Sequence, residues 1–598
     1  MPRADLTALA VRLEEFLGCP HDDSSAMPFR RVLELDERES YPYEFVNPLR
    51  AWGVPEYALP GEHGGRAGDV EAEFNLVRLI ARRDSTTATA LIITNLAFMT
   101  VWTGGSPGQQ AEFVTAIKNG QRLSWGLSER GYGSDLLANA MRARPVDGGY
   151  LLSGEKWLIG NATRADAMVV FARTGERGGS GDFSVLVLDK RAVPAGSVTE
   201  LPKERLHGIR GMDLSGVRVD DVFVPRSALI GREGQGLEIA LKAAQAARAQ
   251  ISGMAISAVD TGLRVTLDFT EGRVILGRTV SDIPYSRRQL TEVFADLMVA
   301  DAVSLGAVRG LQQAPEQASV HSSVAKYLVP TMMERAMSQL AVVLGARYFL
   351  RDHPHYGVFQ KMLRDLPVAN FADGNTVVNL RNLAGQLQPL LTRLASATGR
   401  DRAAAEANAA VLYGMGAGLP TYEPWRQELF ARGRDDTLLA APASVAALGA
   451  LAEDAKEEDQ RGWLRRAAAT AEELLARTVS LGERAERLRT ELGRAFGNSA
   501  ELFDLAKEYC LLHAVAACVH TFVHSHEVME EPLPNGALLL LQLERLRRAL
   551  APHESVTDPG VVDEVMRVLR HFHGADQLFS HWQFPLARRE LDTDTVRR

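Results

Sequence analysis

The sequence predicts an α+β protein built from an N-terminal helical domain, a central β-barrel-like domain, a four-helix-bundle domain and an additional C-terminal helical domain. Three observations predict it. Apolar residues recur at helical spacing over residues 1–120, the pattern changes to short alternating segments over 121–235, and helical spacing returns over 236–398 and 399–598. A chain of 598 residues has room for several folding units.

Each element has a local reason. The apolar run LVRLIARRDSTTATALIITNLAFMTVW follows the turn-rich PGEHGGRAGD at 60–69, which marks a helical layer. AMVVFA at 167–172 and FSVLVL at 183–188 lie between Gly, Asp and Arg turns and read as strands. After GREGQG at 231–236, Ile251, Ala255, Val259 and Leu263 recur every four residues along one helix face. Leu481, Ala485, Leu488 and Leu492 form a stripe in the Ala-, Leu- and Arg-rich C-terminal region, a stripe that must be covered by packing on the 236–398 bundle. The turn-rich YGMGAGLPTYEPW at 413–425 is expected to be the hinge between the two helical regions.

Composition narrows the function. With 46% hydrophobic and 24% charged residues the chain is an ordinary folded protein, and a net charge of −8 provides no global basic surface for nucleic acid. Three cysteines cannot build a disulfide framework, which fits a reduced, cytoplasmic setting. Acidic residues interrupt the first 20 residues where a signal peptide would be apolar. The apolar run YCLLHAVAACVHTFVH at 509–524 is broken by His513 and His520, so it is expected to be a buried helix and no transmembrane segment.

The chain has no P-loop, no GxGxxG between strand and helix, no GxSxG and no HExxH. It does carry LSERGYGSD at 127–135, GEKWLIGNATRAD at 154–166 and HGIRGMDLSGVRVDDVFVP at 207–225. In the first, the small residues Gly131, Gly133 and Ser134 let backbone approach a flat or phosphorylated ligand, or simply make a turn. In this order, between helical regions, the segments resemble the acyl-CoA dehydrogenase family over about residues 30–395. The family forms are LTEPGAGSD, GxKxxITNGxxAD and GxRGSDxxxxxFxxVxVP.

The resemblance implies FAD as cofactor and no metal. It places Leu127, Ser128 and the strand Trp157, Leu158, Ile159, Gly160 along the flavin ring, with Gly133 and Ser134 near the pyrophosphate. Gly160 departs from the family, whose threonine there hydrogen-bonds the flavin. EGRVILGR at 271–278 resembles the family's RxxFG segment, so Arg273 stands for the arginine that reaches the FAD of a neighbouring subunit; a solvated helix-end arginine is the alternative. The family's Phe-Gln pair is Arg287-Arg288 here.

The family writes RDxxVxxIYEG around its catalytic glutamate, and this chain has RDLPVANFADG at 364–374. The ungapped register puts Asp373 in the place of the base, beside Gly374 and with Arg248 as the substrate-side arginine. Aspartate is shorter by one methylene, about 1.5 Å of reach. A one-residue shift, matching GNTVVNL to the NTV run of the related acyl-CoA oxidases, places Ala372 there instead; only the first register also aligns Arg364-Asp365 and Val368. The bland role for Asp373 is capping of the helix that follows.

Cys510, His513, His520 and His524 read as packing residues, because no second cluster or carboxylate accompanies them in sequence. The runs LRR at 464–466 and RLRRAL at 545–550 are expected on solvated helix faces.

The resemblance thus implies an oxidoreductase of lipid or polyketide metabolism, converting an acyl-CoA or acyl-carrier-protein thioester to its trans-2-enoyl form. Asp373 is the base, flavin N5 accepts the hydride, and an electron-transfer flavoprotein receives the electrons. A flavin oxidase or monooxygenase on the same fold is an alternative, as is a carrier-binding protein that has lost its base. The long C-terminal extension, as in very-long-chain dehydrogenases and acyl-CoA oxidases, implies a homodimer.

Overall fold

The computed structural model describes residues 3–552 and 557–588. Six helices open the chain: α1 (Arg3–Leu17), α2 (Phe29–Glu37), α3 (Tyr43–Trp52), α4 (Val70–Ala81), α5 (Ser85–Gly104) and α6 (Pro107–Lys118). Eight strands follow: β1 (Leu123–Gly126), β2 (Arg142–Val146), β3 (Gly149–Gly160), β4 (Ala167–Arg173), β5 (Phe183–Asp189), β6 (Val198–Leu201), β7 (Leu214–Pro225) and β8 (Leu229–Ile230). The long helix α7 (Gly236–Gly272) leads through the hairpin β9 (Val274–Ile275) and β10 (Arg278–Thr279) to α8 (Pro284–Gln313) and α9 (Ala318–Leu344). Next come α10 (Gly357–Asp365), α11 (Val368–Phe371) and α12 (Thr376–Ser396). The C-terminal region is α13 (Gly399–Tyr413), α14 (Asp436–Asp454), α15 (Glu458–Leu492), α16 (Ala500–Ser525), α17 (Ala537–Leu550) and α18 (Pro559–Gly574). The chain divides into two compact units: a β-domain unit of residues 34–247 and 421–429, and a bundle unit of the described residues of 1–33, 248–420 and 430–598.

In the β-domain unit the strands run in the order β6-β7-β3-β2-β4-β5-β8, with β1 parallel to β4. Tyr150, Leu152, Val170, Leu186 and Val217 fill the core on one face of this sheet. Helix α5 begins where Asp84 accepts hydrogen bonds from the amides of Thr86 and Thr87. Among the described residues it is the one helix long and apolar enough to cross a membrane, and most of it is buried in the protein. From its first residue to Trp102, only Thr89, Ile92 and Leu96 remain partly exposed, at i, i+3 and i+7 on one face.

The segment expected to be a hinge does something else. Residues 421–429 belong to the β-domain unit, where buried Tyr422 meets Trp102 edge-on with ring centroids 5.2 Å apart. Gln427 donates to the Tyr422 hydroxyl at 2.8 Å, and Gln245 donates to the Glu428 carbonyl. Turn residues marked a loop here, but one tyrosine with a polar handle made it a docked strap.

In the bundle unit α8 packs along α9, and α13, α16, α17 and α18 all pack against α8. The stripe Leu481, Ala485, Leu488 and Leu492 on α15 is buried at its first two positions and half-buried at the last two. The RLRRAL run is not a solvated face. Arg545 forks onto Asp296 and also reaches Glu292, which Arg548 contacts at 2.7 Å. Glu292 and Asp296 are buried on α8, so they require counter-charges, and α17 brings them. Arg466 of the LRR run likewise pairs with Glu544 and Asp558. At the Arg287-Arg288 departure, Arg287 bridges two more exposed acids, Asp282 and Asp563 at the start of α18.

The histidines of α16 are structural partners. His520 sits between the Ser444 hydroxyl and the Thr437 carbonyl, at 2.8 Å from each, and His524 also contacts Ser444. The start of α14 is held by Asp435, whose carboxylate accepts from the Thr437 amide, the Tyr509 hydroxyl and His513 Nδ1. These contacts fasten the C-terminal helices to one another.

One buried ion pair fixes the loop after β1. Lys156 on β3 has no exposed surface, and its ammonium lies 2.8 Å from the Glu129 carboxylate. Removing one partner of such a pair leaves an unmatched buried charge, so Lys156→Met should cost about 3 to 5 kcal/mol in chemical denaturation. A variant as stable as the parent would mean that Glu129 finds other solvation and does not depend on Lys156.

Candidate active site

In the β-domain unit the loop after β1 and the end of β3 form a shelf. Glu129 organises the loop: its carboxylate accepts from the amides of Ala140 and Met141 at 2.7 and 3.1 Å as well as from Lys156. Burial brings the Lys156 ammonium down to about 8, against the opposing pull of Glu129. Lys156 also donates to the Leu127 carbonyl, and the Trp157 amide donates to the Ser128 carbonyl at 3.1 Å. With their backbones tied back, Leu127, Ser128 and Trp157 present half-buried side chains.

Beyond them the loop opens. Gly131 and Gly133 have free space where a Cβ would project, Gly133 adopts a left-handed φ of +50°, and Ser134 is exposed. The end of β3 is irregular where it meets the shelf. A register shift lies between Trp157 and Ile159, and Leu158 takes φ +59°, a costly conformation for a non-glycine residue. The Trp157 indole donates to Glu204 at 2.7 Å and lies under the Arg130 guanidinium. Ile159, expected along the ligand, instead turns its side chain into the sheet core, because the irregularity at Leu158 breaks the alternation that would keep it on the face of Trp157. Gly160 is half-buried, and a Cβ there would fall 2.0 Å from Ile93 of α5. The Ile93 side chain fills the space that a larger residue would occupy, so a side chain at position 160 would require Ile93 to move.

Those residues fit a flat aromatic ring with a phosphate tail. Open glycines beside an exposed serine allow backbone contact with an anion, and a half-exposed Leu-Ser-Trp surface suits a ring face.

The bundle unit has a carboxylate on a turn of its own. Between α11 and α12 the chain makes a turn in which both Asp373 (φ +54°) and Gly374 (φ +97°) are left-handed. Aspartate tolerates this conformation better than most residues. At Gly374 a Cβ would also lie 3.1 Å from the Arg248 guanidinium. Arg248 is buried on α7 and donates from Nε to the Asp373 carbonyl at 3.0 Å. Lys326, fully buried on α9, donates from Nζ to the Ala369 carbonyl. Ahead of the turn, Lys361 pairs with Asp365 in the interior, while Arg364 binds Gln360.

Capping of α12 is done by Asn375, whose side chain accepts from the Val378 amide at 2.9 Å, so Asp373 is left for another role. Among the described residues none accepts the Asp373 amide proton. Burial pushes the half-buried Asp373 carboxyl above the usual carboxylate range, and the charges of Lys326 and Arg248 pull it back. Burial lowers Arg248 in turn, with Asp373 opposing.

Asp373, Gly374 and Arg248 thus come together, as do Leu127, Ser128, Trp157 and Gly160 with the Gly133-Ser134 loop. Arg273 lies apart, exposed where α7 gives way to β9. Sequence reasoning missed Glu129, Lys156, Ile93 and Lys326. A charged residue inside an otherwise apolar stretch, as in SSVAKYLV around Lys326, was the available signal.

Comparison with known proteins agrees with this layout. Residues 26–121 match the acyl-CoA dehydrogenase N-terminal domain, 124–222 the middle domain and 234–388 the C-terminal domain. The short-chain specific acyl-CoA dehydrogenase of Megasphaera elsdenii is 23% identical over 380 residues, covering 62% of this chain and 97% of that protein. The structure of butyryl-CoA dehydrogenase from Megasphaera elsdenii shares the fold with a TM-score of 0.57 at 22% identity, over 63% of this chain and 96% of the other. The prolyl acyl carrier protein oxidase AnaB does so with a TM-score of 0.57 at 17% identity, over 63% and 97%. With its N-terminal, middle and bundle regions all matched, the chain belongs to the acyl-CoA dehydrogenase family of FAD-dependent oxidoreductases.

Proposed function

We propose that this protein dehydrogenates an acyl thioester at its α and β carbons, giving the trans-2-enoyl thioester, with Asp373 as the base. The observation that carries the reading is a half-buried carboxylate on a left-handed turn, flanked by two buried cations and not engaged in helix capping. The ungapped RDLPVANFADG register supports Asp373, and Ala372 has no group that takes a proton.

Leu127, Ser128, Trp157, Leu158 and Gly160 would lie along the isoalloxazine of FAD, with Gly133 and Ser134 at its pyrophosphate. FAD, when bound, takes up the β-hydrogen with its electron pair. The chain supplies the rest. Asp373 accepts the α-proton at its carboxylate, and its unengaged amide is available to the thioester carbonyl, where negative charge develops. Burial, by raising the carboxyl, makes it a better base near neutral pH. Arg248 holds the turn through the Asp373 carbonyl, and Gly374 gives its guanidinium room. The partly exposed stripe Thr89, Ile92 and Leu96 on α5 suits an acyl chain.

The handle is coenzyme A or an acyl carrier protein, and the likeness to AnaB favours testing both. An electron-transfer flavoprotein is the proposed acceptor, with molecular oxygen as the oxidase alternative. We place the protein in the cytoplasm as a homodimer. The β9–β10 hairpin supports the dimer, since it carries exposed Val274, Ile275 and the 98% exposed Leu276 beside Arg273.

Anaerobic mixing with a panel of acyl-CoA and acyl-carrier thioesters should bleach the yellow flavin with at least one of them, and aerobic peroxide release would assign oxygen as acceptor. A yellow protein that no thioester bleaches would leave only the carrier-binding reading. Arg273→Ala should weaken FAD retention by about 1.5 to 3 kcal/mol, the worth of a charge-assisted contact, without changing the fold. Unchanged retention in a dimeric variant would make Arg273 a solvated side chain.

A further inference from the structure

The segment Ala369–Asp373 is held at both ends by buried cations from different helices. Lys326 of α9 donates to the Ala369 carbonyl, and Arg248 of α7 donates to the Asp373 carbonyl. No surface of Lys326 is exposed, and the charged groups that face its ammonium are Asp373 and Arg248. A lysine is costly to bury, and a backbone carbonyl alone does not balance its charge. The charge of Asp373 offsets that cost in part.

Resting on the reading of Asp373 as base, we propose that Lys326 is a positioning residue for the proton transfer: it fixes the turn and supplies a positive charge against which Asp373 gains and loses the α-proton. The two flanking cations are not equivalent. Arg248 stays charged throughout, whereas an ammonium can lose its proton when buried. Burial brings Lys326 down to about 7, with Arg248 pushing in the same direction and Asp373 opposing it. The charge of each group opposes the effect of burial on the other, so their titrations are coupled. While Lys326 is charged, Asp373 is held ionised. Once Asp373 takes the α-proton, the carboxyl is neutral and no longer offsets the charges of Lys326 and Arg248, which favours return of that proton from Asp373.

The test is the pH dependence of anaerobic flavin bleaching in Lys326→Met and Lys326→Arg, each with FAD content and melting temperature recorded. Lys326→Met removes the charge that keeps Asp373 ionised, so the acid limb of the rate profile should move up by about one pH unit or more. Lys326→Arg keeps the charge already present across the acid limb, so it should leave that limb in place and remove any alkaline change in rate that follows loss of the Lys326 proton. Difference infrared spectra, with Asp373→Asn to identify the Asp373 carboxyl band, should show the same displacement for Lys326→Met in FAD-loaded protein without substrate.

Should Lys326→Met not fold, the arginine variant decides: an acid limb in place with the alkaline change lost supports the inference, and a limb moved up or an alkaline change retained overturns it. A uniform loss of rate across pH in the methionine variant, with the limb in place, would reduce Lys326 to a structural residue. Asp373→Asn separates the two levels. If it bleaches like the parent protein, the base assignment itself fails; if it is inert while Lys326→Met keeps the parental limb, only this inference fails.

Discussion

A carboxylate partly drawn out of water is the constraint on which the proposed chemistry depends. Burial raises Asp373 and the charges of Arg248 and Lys326 restrain it, which suits the role of base proposed for it. Achieving this takes a backbone that most residues resist. Two successive left-handed residues turn the chain between α11 and α12, and the amide of Asp373 is left without an internal acceptor. Strain kept at such a place is what a site that must present one group in one direction requires.

The remaining structure serves to keep that turn and the shelf of the β-domain unit in shape. Glu129 and Lys156 do for the shelf what Arg248 and Lys326 do for the turn, each using a buried charge to fasten backbone carbonyls or amides. The C-terminal helices add a third set of buried charges. Glu292 and Asp296 on α8 are matched by Arg545 and Arg548 on α17. These two arginines therefore face buried acids where a solvated helix face was expected.

Much of the fold was legible because hydrophobic period reports secondary structure directly. The change from helical to alternating spacing near residue 121, and back after GREGQG, coincides with the run from β1 to β8 and the start of α7. The strap at 421–429 was not legible, because turn residues say where the chain bends and not what a single tyrosine will bury against. Nor was the arginine run at 545–550, since solvated and paired faces have the same composition until the acids opposite are known. Around the site, motif residues revealed Asp373, Gly374 and Arg248, whereas Lys326 and Ile93 lie far from Asp373 and Gly160 in sequence and become neighbours only through packing.

The central claim is that Asp373 itself removes the α-proton. A thioester with sulfur in place of its β-carbon has no β-hydrogen to give, so its α-hydrogen exchange with D2O isolates the proton step on the FAD-loaded protein. The account predicts that the parent protein catalyses this exchange and that Asp373→Asn, still yellow and still binding the thioester, loses it by about 10²- to 10⁴-fold. Exchange at the parental rate in Asp373→Asn would contradict it and require another base.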